Sequence, residues 1–324
     1  MSNNPGIFEL TTIIDPTLAA IPEHIQMSFA NGGHATSSLY RSFGDRYYTS
    51  HIDNSHEHII ATAGAALVGT APGEPSRAVI LGAGGCNDIP LPFIAETFDH
   101  TTLVDADPAS SERALSRLPS ELLGKVSLVG ADITGIIGPF AHTIGNLVDR
   151  HPDMPSFDRA AAEYIRHIDP QDAPPALEGP YTFVSSHLAM SVIAQGPGDI
   201  LEKLTKRPKL PDELQAATNE PVDPLTEALK ALEGRLQSAH IAYLGRLIAH
   251  NGAVHFADTT DCIRLIKGAG FKRTPLVDEP ALRAAVQGGY TELRPSKAWL
   301  WKSSPPVAFS VKSFALAPRT AQQR

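Results

Sequence analysis

Cysteine is scarce: the 324 residues include only two, Cys86 and Cys262, far apart and outside any CxxC pattern. Neither a disulfide scaffold nor a cysteine zinc site is expected, and a reducing cytoplasm fits best. Long apolar runs are missing too. None approaches the roughly 20 residues that span a bilayer, and Met1-Ser-Asn-Asn-Pro5 has neither the basic nor the apolar region of an export leader. The expectation is a soluble, cytoplasmic chain without a membrane partner. Basic charge is in short supply, with 27 Lys and Arg against 35 Asp and Glu and a formal net charge of -8. General nucleic-acid affinity depends on neutralising phosphates, so a small molecule or a protein is expected as partner and no nucleic acid. Sequence repeats and low-complexity tracts are also absent.

What is there is a 42% hydrophobic composition, enough for a sizeable core, and one informative stretch: Ala78-Val-Ile-Leu-Gly82-Ala-Gly84-Gly85-Cys-Asn-Asp88. A short apolar run breaks into glycines and a helical pattern follows. Glycine lets such a turn take positive φ and lets backbone approach a ligand closely. Two further apolar runs each end in a carboxylate, Leu103-Val104-Asp105 and Val126-Ser-Leu-Val-Gly-Ala-Asp132-Ile133.

In an open parallel sheet, ligands bind beyond the carboxyl ends of the strands, so three such ends can converge on one molecule. The series describes a nucleoside pocket. The glycine turn would hold the polar tail and Asp105 the ribose hydroxyls. Asp132 would meet the exocyclic amine of adenine, with Ile133 against the ring. Here the chain resembles the class I S-adenosylmethionine-dependent methyltransferases, over roughly residues 75–135 and more loosely beyond. Ile80 stands where that family usually has an acid, and Cys86 where a third alternate glycine is usual. The resemblance implies S-adenosyl-L-methionine as cofactor and an α/β fold: a Rossmann-like, doubly wound, mostly parallel seven-stranded sheet ending in an antiparallel hairpin. The expected cofactor contacts are Gly82, Ala83, Gly84, Asp88, Asp105, Ala106, Asp132, Ile133 and Ser185. Asp88 has an alternative reading as the cap of a helix beginning near Pro90.

Residues 1–74 read as an N-terminal helical cap for substrate recognition, and 75–324 as the cofactor domain. In the cap, His56, Ile60, Ala63 and Leu67 share a helical face. Asp107-Pro108 starts a helix through Leu118. Between Asp132 and the strand Tyr181-Thr-Phe-Val-Ser185 lie the 48 residues 133–180, more than a crossover helix needs. The segment 136–180, with the stripe Phe157, Ala161, Tyr164, Ile165 and Ile168, is expected to be a lid or substrate wall. Asp223-Pro224 opens a long helix striped by Leu225, Leu229, Leu232, Leu236, Tyr243 and Leu247 and stopped by Asn251-Gly252. Strand Ala253–Ala257 follows, and Lys297–Lys302 with Val307–Lys312 form the terminal hairpin.

Methyl transfer needs in-line alignment and, where the acceptor carries a proton, a base. His187, just past the fourth strand, is the candidate base, against the alternative of a hydrogen-bonded junction histidine. Tyr40, Arg46, Tyr47 and Tyr48 are expected to contact substrate. No metal is expected: His56 and His58 point apart on a helix, and Ser185-Ser186-His187 occupies the place where metal-dependent members carry an acid. Two alternatives stand beside this reading. A nicotinamide-dependent oxidoreductase would need glycine at Asn87, and a catalytically silent cofactor-binding protein would keep the pocket alone. Self-association into a homodimer is left open.

Overall fold

The computed structural model describes residues 12–27, 48–171, 175, 177–206, 223–266, 270–277, 279–304 and 307–319. Its centre is a single sheet. In chain order the strands are β1 (Thr12–Ile14), β2 (Arg77–Leu81), β3 (His100–Asp105), β4 (Val126–Gly130), β5 (Tyr181–His187), β6 (Ile248–Ile266), β7 (Gly270–Pro275), β8 (Tyr290–Ser304) and β9 (Val307–Pro318). Their spatial order is β1-β4-β3-β2-β5-β6-β9-β8, with β7 paired off the outer part of β6. From β1 to β6 every pairing is parallel, while β9 runs antiparallel to both β6 and β8.

The seven expected strands are therefore present, and two are added. β7 extends β6 as a hairpin. β1 comes from the segment expected to be a separate cap: Thr12–Ile14 pair with Leu128–Gly130, so the N-terminal region contributes an edge strand to the sheet itself.

The helices are α1 (Pro16–Ala19), α2 (Thr49–Val68), α3 (Leu91–Thr97), α4 (Pro108–Leu115), α5 (Ser120–Leu123), α6 (Ile137–Arg150), α7 (Met154–Arg166), α8 (Met190–Thr205), α9 (Pro224–Leu247) and α10 (Glu279–Gly289). They cover both sheet faces, which is why strands such as Ala78-Val-Ile-Leu read as unbroken apolar runs. Alternate residues serve alternate layers. Val79 and Leu81 pack with Leu244 of α9 and Leu282 of α10. Ala78 and Ile80 pack with Ile59 of α2, Ile94 of α3 and Leu115 of α4. A third cluster joins α1, α6, α7, α8 and α9 through Phe140, Phe157, Ile165, Leu232 and Leu236. The segment expected as a lid thus forms two helices with a packed apolar face.

Local start signals behave as physics requires. Asp107, Asp153 and Asp223 each accept a backbone N–H of the first turn and precede an early proline. Other readings need correction. The buried face of α2 is His51, Ser55, His58, Ile59, Thr62, Ala63 and Ala66, and Ile60 is 37% exposed. α9 ends at Leu247 instead of Asn251-Gly252, with Ile248 already extended and paired with Tyr181 before a register shift restores Phe183 to Ala253.

Candidate functional site

The carboxyl ends of β4, β3, β2 and β5 lie side by side, so the residues just beyond them share one edge of the sheet. The turn after β2 is built on left-handed backbone at Gly82 (φ 67), Gly84 (φ 48) and Cys86 (φ 46). Gly82 is constrained twice, since a Cβ there would stand 2.9 Å from the Ala189 Cβ. The Gly82 and Ala83 amides donate to the Val104 carbonyl at 2.9 and 3.1 Å, which ties the turn to β3.

Asp105 completes that tie. Its Oδ2 accepts from the Gly84 amide at 2.8 Å and its Oδ1 from the Asp107 amide at 2.7 Å. Burial pushes its carboxyl up to about 6 despite these bonds. Ser111 and Arg117 bind the Gly84 and Gly85 carbonyls from the next helix and its exit. Ala106 follows Asp105 and packs at the edge of the third cluster.

Asp132 is buried, and much of its acceptor capacity is committed locally. Oδ1 accepts from the Thr134 amide (2.9 Å) and hydroxyl (2.7 Å), and Oδ2 from the Ile137 amide (2.9 Å), capping α6. Burial again raises its carboxyl. Ile133 beside it is buried. Ser185 is fully buried, with its hydroxyl 3.0 Å from His255 Nδ1. Tyr48 is buried as well, its ring edge-on to Trp301 at 5.5 Å. Tyr40, Arg46 and Tyr47 lie outside the described residues.

His187 is the last residue of β5, followed by Leu188 in a left-handed conformation (φ 55) whose amide donates to the Ala257 carbonyl at 2.8 Å. A γ-branched residue there marks local backbone strain. His187 Nε2 stands 3.3 Å from Asp88 Oδ2, and His51 Nε2 stands 3.4 Å from the same oxygen. The His187 contact falls outside hydrogen-bond geometry, and among the described residues neither ring nitrogen of His187 has a hydrogen-bond partner. Asp88 does not cap α3, whose N-cap is Pro90 without a side-chain bond. Burial works to raise the Asp88 carboxyl, but the nearby His187 imidazole and the His51 imidazole outweigh it and hold it well below the usual range. Burial lowers His51, so it stays neutral more readily than a free imidazole.

A second set of buried histidines lies behind this pair. His255 stacks on His187 at 5.6 Å, and Ser313 Oγ bridges His255 Nε2 (3.1 Å) and His58 Nδ1 (2.7 Å). Sequence reasoning assigned none of His51, His255, Ser313 or Trp299 to the site. Only His51 carried a local signal, three residues after Tyr48 of the expected substrate contacts.

Asp258 and Asp261, the remaining acids near these strand ends, are committed elsewhere. Asp258 accepts from the Met190 amide at 2.6 Å and from Ser191, and Asp261 pairs with Arg273 at 2.6 Å.

No protein-family model matches the chain and no curated protein matches it. Solved structures with some likeness include the N-methyltransferase NodS from Bradyrhizobium japonicum WM9, at 11% identity, TM-score 0.37 and coverage of 81% of this chain and 95% of that one. The glycopeptide N-methyltransferase MtfA complexed with S-adenosyl-L-methionine is 9% identical, with TM-score 0.37 and coverage of 80% and 94%. Streptomyces venezuelae DesVI is 10% identical, with TM-score 0.32 and coverage of 80% and 92%. Scores this low carry no weight of their own. The strand order and the site residues carry the reading.

Proposed function

We propose that the protein is an S-adenosylmethionine-dependent methyltransferase acting on a small molecule without a metal. The observation that carries this is the strand order, in which a glycine turn, Asp105 and Asp132 stand at the ends of β2, β3 and β4 in the parallel half and the last strand, β9, runs antiparallel to β6. Asp105 fits a ribose: each of its carboxylate oxygens accepts one loop amide, which leaves a lone pair on each for two hydroxyls. Asp132 Oδ2 retains capacity toward an adenine amine.

When bound, S-adenosylmethionine supplies a methyl group activated by its sulfonium. The chain would hold the nucleoside with Asp105 and Asp132 and set the acceptor against the end of β5. There His187 would take the acceptor's proton on Nδ1, because Nε2 faces Asp88, whose charge would stabilise the imidazolium. Oxygen, nitrogen and activated carbon acceptors all suit this arrangement, since fold does not fix the substrate. Both cysteines are free. Among the described residues no helix is long and apolar enough to cross a membrane.

Isothermal titration with S-adenosylmethionine, S-adenosylhomocysteine and NAD tests the cofactor. Binding of the first two and not the third is expected. NAD binding alone would replace this reading with the oxidoreductase. Incubation with labelled methyl donor and a metabolite extract then separates an enzyme from a silent binder.

A further inference from the structure

His51, Asp88 and His187 bring three potential ligand atoms within 4.8 Å of one another. Two imidazoles and a carboxylate can hold a divalent transition metal. They can equally hold protons, and the surroundings of His51 decide between the two.

His51 lies under the terminal hairpin. Its ring stacks on Trp301 at 4.4 Å, and the Trp299 indole Nε1 donates to His51 Nδ1 at 3.0 Å. Trp299 and Trp301 are two apart on β8 and so share a face. Lys297, on the same alternation, bonds Glu57 of α2 at 2.7 Å and helps seat the strand on the helix. An indole nitrogen can only donate, so His51 Nδ1 must accept there. A neutral imidazole has one accepting nitrogen, which leaves the proton on Nε2, facing Asp88. A cation on Nε2 would need that lone pair and would move the proton to Nδ1, setting two donors head to head. Metal-ligating histidines are normally found the other way round, donating their second N–H to a carboxylate, carbonyl or water.

We infer that Trp299 and His51 are positioning residues for His187: the indole locks His51 as the Nε2-protonated tautomer, so that His51 donates to Asp88 and the carboxylate is held toward His187. Asp88 is thereby fixed by one imidazole and left charged for the other. With Nε2 of His187 facing Asp88, its unpartnered Nδ1 is what such a pair presents to an acceptor. This deepens the proposed methyl-transfer reading and rests on it for the purpose of the lock, but not for its existence.

The test is nitrogen-15 imidazole spectroscopy of the full-length protein without cofactor, with signals assigned by His51→Gln and His187→Gln. A single Nε2-protonated tautomer is expected for His51. Trp299→Phe, which keeps an aromatic ring but removes the N–H, should lose that single state and move the His187 signals, with the melting temperature recorded beside it. An Nδ1-protonated His51 in the wild type overturns the lock, as does a Trp299→Phe spectrum identical to wild type. Stoichiometric zinc binding that disappears in Asp88→Asn overturns it too. Titration with S-adenosylhomocysteine on the same samples keeps the two ideas apart. A locked tautomer without binding sinks the cofactor reading and leaves the lock standing, whereas binding with a mixed tautomer does the reverse.

Discussion

The Gly84 amide donates to the Asp105 carboxylate at 2.8 Å, joining the turn after β2 to the end of β3. One acid thus shapes the glycine loop and offers its remaining lone pairs to a ligand. Asp105→Ala should weaken S-adenosylhomocysteine binding through both effects, and hydrogen bonds to a charged group are worth about 1.5–3 kcal/mol each. The wild-type affinity should itself fall as the pH drops through about 6, where the carboxyl takes up a proton. Stability moves the opposite way, because a raised folded-state value stabilises below the ordinary carboxylate range and that contribution is lost as pH rises through about 6. Calorimetric titration from pH 5 to 8 checks the affinity. A flat profile, or an unchanged dissociation constant in folded Asp105→Ala, removes Asp105 from the site.

Gly82→Ala should destabilise the protein and impair cofactor binding together. Left-handed backbone costs a non-glycine residue about 1–2 kcal/mol, and the new methyl would meet Ala189 at 2.9 Å. Thermal unfolding reads the first effect and titration the second. A variant as stable as wild type would show that the turn has room to relax.

His187→Ala should leave S-adenosylhomocysteine affinity nearly intact while turnover falls by about 100- to 10,000-fold, the usual range for a general base. Melting temperature must be measured alongside. Loss of stability without a specific loss of turnover would return His187 to a junction role.

Two buried histidines should weaken folding in acid, against the opposite contribution of Asp105. Burial lowers His58 and His240 to about 4, so the folded state keeps both neutral. The unfolded chain binds protons below about 6.5, so this contribution to stability is complete above that value and is lost as pH falls toward 4. A melting temperature that declines from pH 7 to 5, with a shallower decline in His240→Gln, is the expected pattern. Parallel declines in both proteins would clear His240 of the effect.

Methyl transfer should survive EDTA. The His51 tautomer set by Trp299 leaves no lone pair on Nε2 for a cation, and Asp258 and Asp261 are bonded elsewhere. Full loss of turnover in EDTA with recovery on adding a divalent ion would reverse this.

The sequence alone determined what depends on near neighbours. Covered parallel strands read as unbroken apolar runs because both faces are buried, and helix starts at Asp107 and Asp223 read as acid followed by proline because capping is local. The end of each strand fixed where Gly82, Asp105, Asp132 and His187 would gather, since sheet topology places those ends on one edge. Tertiary structure decided everything that depends on which side chains face each other across long stretches of chain. Asp88 had the sequence of a helix cap, yet it meets His51 because α2 packs on the sheet and His187 because β5 pairs beside β2. The face α2 buries differs from the one its apolar spacing suggests, as polar His51, Ser55, His58 and Thr62 are covered by β6, β8 and β9 while Ile60 is not. α8 is capped by Asp258 from β6, with Ala189 at its own N-cap giving no side-chain bond. His51 and Trp299 stand 248 residues apart, and only the seating of the hairpin on α2 sets the bond that fixes the imidazole proton.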